Sequence, residues 1–253
     1  MATALHVRGR LRLPGALAAG LVSAVVLAGC SGDGGSEESA SSTSASSSAE
    51  ETEAASDLAS GLLPAEAFGA EASVVAISPE QLRQGAGISA LTEGVEIQPE
   101  SCRVAVEGTQ PDLDDFEDVA AQSASLGGTA TVEMLVRGGP LEDAVGQLSQ
   151  AGERCPQAQV ELPDIGQATI TFENLPVDDL GDGSALLRYT TAVTAPDGTQ
   201  ISVPTLVGAV EDGDRLLLLL TVVADPTAGA ELDAAAFADL LAQAYETQAD
   251  ALG

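Results

Sequence analysis

The segment Leu216-Leu-Leu-Leu-Leu-Thr-Val-Val223 is apolar at every position but Thr221. A strand with one wet face alternates apolar and polar residues, so an uninterrupted run of this length reads as a central strand covered on both faces. It is far short of the roughly 20 residues that a membrane-crossing helix needs. Moving towards the N-terminus, Asp212 and Gly213 form a turn, and Gln200 to Val210 forms a further strand. Pro196, Asp197 and Gly198 then separate that strand from Ser184 to Thr194, and Ala168 to Glu173 alternates as another. Strands separated by such short turns make an antiparallel meander around the leucine run.

Upstream, Phe116 to Ser125 and Thr129 to Arg137 read as two strands joined at Gly127 and Gly128, with Val132, Met134 and Val136 alternating along the second. Gly139 and Pro140 punctuate the start of an amphipathic helix on which Leu141, Val145, Leu148, Ala151 or Gly152, and Cys155 recur at helical spacing until Pro156 stops it. Shorter helical turns are predicted over Leu62 to Phe68, from Ser78-Pro79-Glu80, and from Pro99-Glu100, the last carrying Cys102. The chain closes on a long helix with Leu232, Ala236, Leu240, Ala244 and Tyr245 on one face and Phe237 and Leu241 beside it. The predicted fold class is therefore α+β: a single domain over residues 58–253, with a mainly antiparallel β-sheet flanked by α-helices, including a long C-terminal helix.

The N-terminus has a different character. Arg8, Arg10 and Arg12 precede an apolar run from Leu13 to Ala28, interrupted early by Pro14 and Gly15, and no acid occurs before Cys30. That pattern predicts a secretory signal over residues 1–29. The run ends Leu27-Ala28-Gly29-Cys30, which resembles the bacterial lipobox, in which the Cys receives diacylglycerol and becomes the first residue after cleavage. The alternative is cleavage after Ala28, which leaves a secreted protein with a free thiol. Two acyl chains at ~0.8 kcal/mol per buried methylene hold a protein on a bilayer where one is marginal. Residues 30–57 are almost all Ser, Ala, Gly, Thr, Glu and Asp. They predict a disordered tether, with an r.m.s. span of about 30 Å, that holds the domain clear of the headgroups. The tether reads as a plain spacer, with glycosylation of its Ser and Thr residues as the alternative.

Composition restricts the chemistry. There is no Lys, and six Arg face 39 acids once the signal's three Arg are removed, a formal charge of −33. Nucleic-acid affinity depends on cationic side chains that displace counterions, so nucleic acid is excluded as a partner. The sole His is His6, inside the predicted signal. The mature chain then lacks both imidazole and a side-chain amine, which removes Ser-His-Asp, Cys-His and Ser-Lys nucleophiles, Schiff bases and ordinary His-ligated zinc. Carboxylate chemistry survives, with Asp112, Asp114, Asp115, Glu117 and Asp118 as the candidate cluster. Adjacent acids in a loop read more simply as a solvated turn. Asp178, Asp179 and Asp182 fail as an EF-hand, because Leu180 holds a ligand position and Tyr189 stands where a closing Glu belongs. The expectation is no enzyme, no catalytic or metal-ligating residue and no cofactor. Six aromatics after the signal, Phe68, Phe116, Phe172, Tyr189, Phe237 and Tyr245, predict that any pocket is aliphatic.

With Cys30 lipidated, Cys102 and Cys155 remain in an oxidising compartment and are predicted to pair, pinning two helices to one core. Closing a loop of about 50 residues contributes ~4 kcal/mol in the chain-entropy account.

The order of elements, Cys102 before the first strand pair, Cys155-Pro156 ending the middle helix, the Gly181-Asp182 step before a strand and the closing helix together resemble actinobacterial envelope lipoproteins related to the PknH-type extracellular sensor domain. The resemblance spans roughly residues 58–252. It implies an antiparallel sheet flanked by helices and a cleft for an envelope ligand, and it supplies no catalytic residue. This chain departs from the family pattern in having neither a kinase domain nor a second disulfide. The expected protein is a lipid-anchored lipoprotein on the extracytoplasmic face of the cell membrane. Its partners are the membrane, through the lipid on Cys30, and an envelope ligand or protein; the rival is a scaffold with no small-molecule site.

Overall fold

A computed structural model describes residues 57–83, 96–107, 113–139, 141, 143–162, 166–194, 198–225 and 230–253. The predicted signal, Cys30, the tether up to residue 56 and Asp112 lie outside the described residues. Among the described residues nine strands form one sheet: β1 (Ser73–Ile77), β2 (Glu96–Gln98), β3 (Asp118–Leu126), β4 (Thr129–Arg137), β5 (Gln157–Leu162), β6 (Gly166–Leu175), β7 (Gly183–Thr194), β8 (Gln200–Asp212) and β9 (Arg215–Val223). Their order across the sheet is β1-β3-β4-β9-β8-β7-β6-β5-β2, and every neighbouring pair is antiparallel. Helices α1 (Arg103–Glu107) and α2 (Ala144–Arg154) belong to one side, and α3 (Ala234–Leu252) to the other.

The leucine run is β9, an internal strand between β4 and β8. Leu216, Leu218 and Leu220 pack into the cluster with α2, while Leu217 and Leu219 pack into the cluster under α3. Period-two geometry sends alternate leucines to opposite faces, so a strand with two dry faces needs the unbroken apolar run. Each fully buried leucine contributes about 1.5–3 kcal/mol relative to leaving it exposed.

The β3–β4 hairpin follows from its turn: Gly127 and Gly128 both take positive φ (57° and 87°), which a two-residue connection in a right-twisted hairpin requires. The hairpin docks through β4 onto the outer edge of β9. Its first strand begins at Asp118, since residues 113–115 form a 3₁₀ turn and Phe116 lies before the ladder. On β4, Thr131, Glu133 and Leu135 are buried. These alternate with the apolar positions Val132, Met134 and Val136. Both faces of β4 are covered.

Helix α2 starts at Ala144, later than Gly139-Pro140 suggested, because Gly138, Gly139 and Asp143 all carry positive φ and hold the chain off a helical path. Val145, Leu148 and Ala151 face inwards, and Cys155 caps the C-terminus as expected. Asn174 of β6 clamps this helix: its Oδ1 accepts from Gly152 N at 2.8 Å and its Nδ2 donates to Ser149 O. Cys102, at the end of the 3₁₀ turn that leads into α1, is bonded to Cys155, with the Cα atoms 5.1 Å apart.

Helix α3 buries Phe237, Leu241, Ala244 and Gln248. Ala236 is exposed, so the inward face is rotated by about one residue from the expected stripe. Asp233 caps the helix, its Oδ1 accepting from Ala235 N at 2.9 Å and Ala236 N at 3.2 Å. Gly208 of β8 lets the helix approach: a Cβ there would lie 2.7 Å from Leu241 Cδ2. The predicted turn around Leu62 to Phe68 appears as 3₁₀ turns at Asp57–Gly61 and Ala65–Phe68, and the former packs against α3. At Ser78 the expected cap is a reciprocal box, with Gln81 N donating to Ser78 Oγ (3.2 Å) and Ser78 N donating to Gln81 Oε1 (2.9 Å).

Candidate functional site

The β6–β7 connection does not turn tightly. Leu175, Pro176, Val177 and Leu180 run beside the first half of α3, held by Ser184, whose Oγ donates to Asp178 O at 2.6 Å and accepts from Leu180 N at 3.4 Å. Helix α3 presents Ala234, Ala238 and Ala242 to this segment, and short side chains leave space between the two. The result is an open groove of about 470 Å³ lined by Leu175, Val177, Leu180 and the three alanines, with Asp178 and Asp239 also lining it. No aromatic lines it, in line with the aliphatic pocket expected from composition. The volume lies within the range of small-molecule sites.

Its electrostatics select against anions. A helix N-terminus ordinarily attracts negative charge, but at α3 the free amides at Ala235 and Ala236 already bond the Asp233 carboxylate. Asp178 and Asp239 are exposed and add negative charge. The groove therefore suits an aliphatic body that is neutral or carries a cation.

Of the carboxylates singled out in the sequence, Asp178 lines the groove, and the described members of the 112–118 cluster lie elsewhere. Asp114, Asp115 and Glu117 are exposed around the 3₁₀ turn before β3, and Asp114 Oδ1 accepts from Arg83 Nε at 2.9 Å. Asp118 begins β3 opposite Arg137. Asp182 serves a turn, its Oδ2 accepting from Gly213 N at 2.8 Å. Among the described residues no group of three His, Cys, Asp or Glu converges as metal ligands. Tyr189 packs near Phe172, ring centroids 6.2 Å apart, and burial pushes its hydroxyl pKa up.

One carboxylate escaped the reading of the sequence. Glu133 is fully buried in β4, opposite Gln122 of β3. Both its oxygens accept from Leu63 N at 3.1 Å, and Gln122 Nε2 bridges Glu133 Oε2 (2.6 Å) and Leu63 O (2.8 Å). Desolvation pushes the Glu133 pKa up, opposed by the bonds from Gln122 and Leu63. The signal that could have found it is a lone acid between Thr131 and Leu135 in a strand of an otherwise two-sided sheet. Arg137 Nη1 holds Asp57 at 3.0 Å, which lowers the Asp57 pKa.

No known protein family matches the chain, and no curated protein does. Among solved structures, the fold is similar to an uncharacterised protein of Mycobacterium smegmatis at 17% identity and a TM-score of 0.47, over 72% of this chain and 91% of that one. It is also similar to the extracellular domain of PknH from Mycobacterium tuberculosis at 9% identity and a TM-score of 0.36, over 70% of this chain and 96% of that domain. These are loose likenesses of fold.

Proposed function

We propose that the chain is a lipoprotein held on the extracytoplasmic face of the cell membrane by a lipid on Cys30, and that its domain binds an envelope ligand without catalysing a reaction. The groove between the β6–β7 connection and α3 carries this reading: it is open, aliphatic and rimmed by acids, and Asp114, Asp115, Glu117 and Asp118 lie outside it. The ligand class it suits is an elongated aliphatic molecule, neutral or cationic at its polar end. The lipobox-like ending, the apolar run before it and the low-complexity tether support the anchor. The absence of His and Lys after the signal supports a non-enzymatic role.

A lipid-extract pull-down followed by native mass spectrometry tests the groove. The expected result is an aliphatic adduct on the full chain that is lost when Ala238→Phe and Ala242→Phe fill the space. A domain that stays empty, or an adduct indifferent to the filled groove, would overturn the reading in favour of a scaffold. The scaffold reading draws on the apolar packing that fills both faces of the sheet. Labelling with palmitate, lost in Cys30→Ser together with membrane retention, tests the anchor separately.

A further inference from the structure

The two ends of the sheet are finished differently. At one end β2 offers only three residues, and its Glu96 and Gln98 are exposed, a polar finish of the kind that discourages added strands. At the other end β1, Ser73-Val-Val-Ala-Ile77, has no charge and no Pro. Ser73, Val75 and Ala76 are exposed, Val75 by 59%. One side of β1 pairs with β3, and among the described residues no strand pairs with the other. An edge of this kind presents alternate backbone N–H and C=O groups to any extended chain that can reach it.

The charges around β1 select the occupant. Glu71 and Glu80 flank the strand, both exposed, on a chain of net charge −30. Glu71 lies in the turn before the strand and Glu80 in the first turn of the helix after it, so antiparallel pairing of two copies about Val75 would bring the acidic flank of each copy towards the acidic flank of the other. Acidic flanks brought together at both ends of such a ladder repel, so self-pairing is disfavoured. The same two acids favour a strand with cationic flanks. We propose that β1 accepts an extended segment of a basic partner polypeptide as a tenth strand, its β-branched residues lying along Val75 and its flanking Arg or Lys residues facing Glu71 and Glu80. Backbone hydrogen bonds supply affinity and the flanking charges select the partner. This inference is independent of the groove.

The probe is the peptide amide Arg-Val-Thr-Val-Thr-Val-Arg, fluorescently labelled and titrated into the full chain in neutral detergent. The expected result is saturable binding that weakens about ten-fold when salt rises from about 0.05 to 0.5 M, since exposed charges are screened. Binding falls by about ten-fold in Val75→Pro and in the double variant Glu71→Gln/Glu80→Gln, whose strand is unaltered. N-methylation of alternate peptide residues abolishes it. Undiminished binding of the N-methylated peptide, or no binding of the parent, overturns the proposal whatever the state of the Pro variant. A concentration-dependent dimer that the peptide does not displace overturns it in favour of a second copy.

Discussion

The two faces of the sheet are covered by different devices. On the α2 face the cluster from Ile97 through Leu216 is apolar, and the disulfide Cys102–Cys155 fastens α1 and α2 to it. On the α3 face no covalent link is present among the described residues. That face is held by the 19-residue α3 and by a segment at 57–68 whose polar anchor is the buried set Glu133, Gln122 and Leu63. The contrast teaches that apolar burial is common to both faces while the fastening differs. One face is fastened by a covalent link, the other by a buried hydrogen-bonded carboxylate.

Removing the disulfide should have the largest effect. Cys102→Ala with Cys155→Ala is expected to cost ~4 kcal/mol, from the loop entropy returned to the unfolded chain. Denaturant titration with and without reductant measures it, and hydrogen exchange should loosen α2 while sparing α3. Equal protection loss on both faces would break the comparison. Leu241→Ala strikes the other face: deleting a fully buried side chain that contacts Gly208 should cost about 3 kcal/mol and leave the disulfide formed.

Glu133→Gln sharpens the contrast through pH. With its folded pKa raised above the reference 4.5, Glu133 binds its proton more tightly in the native state. Its stabilising contribution is full below 4.5 and is lost as pH rises through the raised value. The melting temperature of Glu133→Gln minus that of the parent should therefore grow more positive as pH rises from 4.5. A flat difference would show that Glu133 does not titrate this face. The smallest effect belongs to Asp57→Asn. The lowered Asp57 pKa gives a contribution present above its unfolded pKa and lost as pH falls through the folded one. Because the carboxylate is exposed, salt should erase the difference in thermal melts.

Much of this arrangement could be read from residues. The leucine run defined an internal strand, Gly127-Gly128 defined a hairpin, and Cys155-Pro156 marked the end of α2. Three strands escaped notice for physical reasons. β1 lies at an edge and has no regular alternation, β2 is three residues long, and β5 (Gln157–Leu162) buries the small Ala158 and the β-branched Val160 between polar neighbours. The inward face of α3 was misjudged by one position because an alanine-rich helix gives little contrast between its sides. The groove was hidden for the same reason, since its walls are short side chains whose significance lies in what they fail to fill. Glu133 was the deepest omission: in a strand an acid ordinarily marks the wet face, and only the strand's position inside a doubly covered sheet reverses that reading.

The fastening at residues 57–68 has a mechanical consequence. A pull on Asp57 is transmitted to β4 through the Asp57–Arg137 pair and the Leu63–Glu133 bonds, and to α3 and the apolar cluster beneath it through the buried Leu58. β4 is hydrogen-bonded on both sides, to β3 and to β9. Load is thus delivered to the interior of the sheet, where neighbouring ladders share it, and the outer strands, which could peel one bond at a time, are spared.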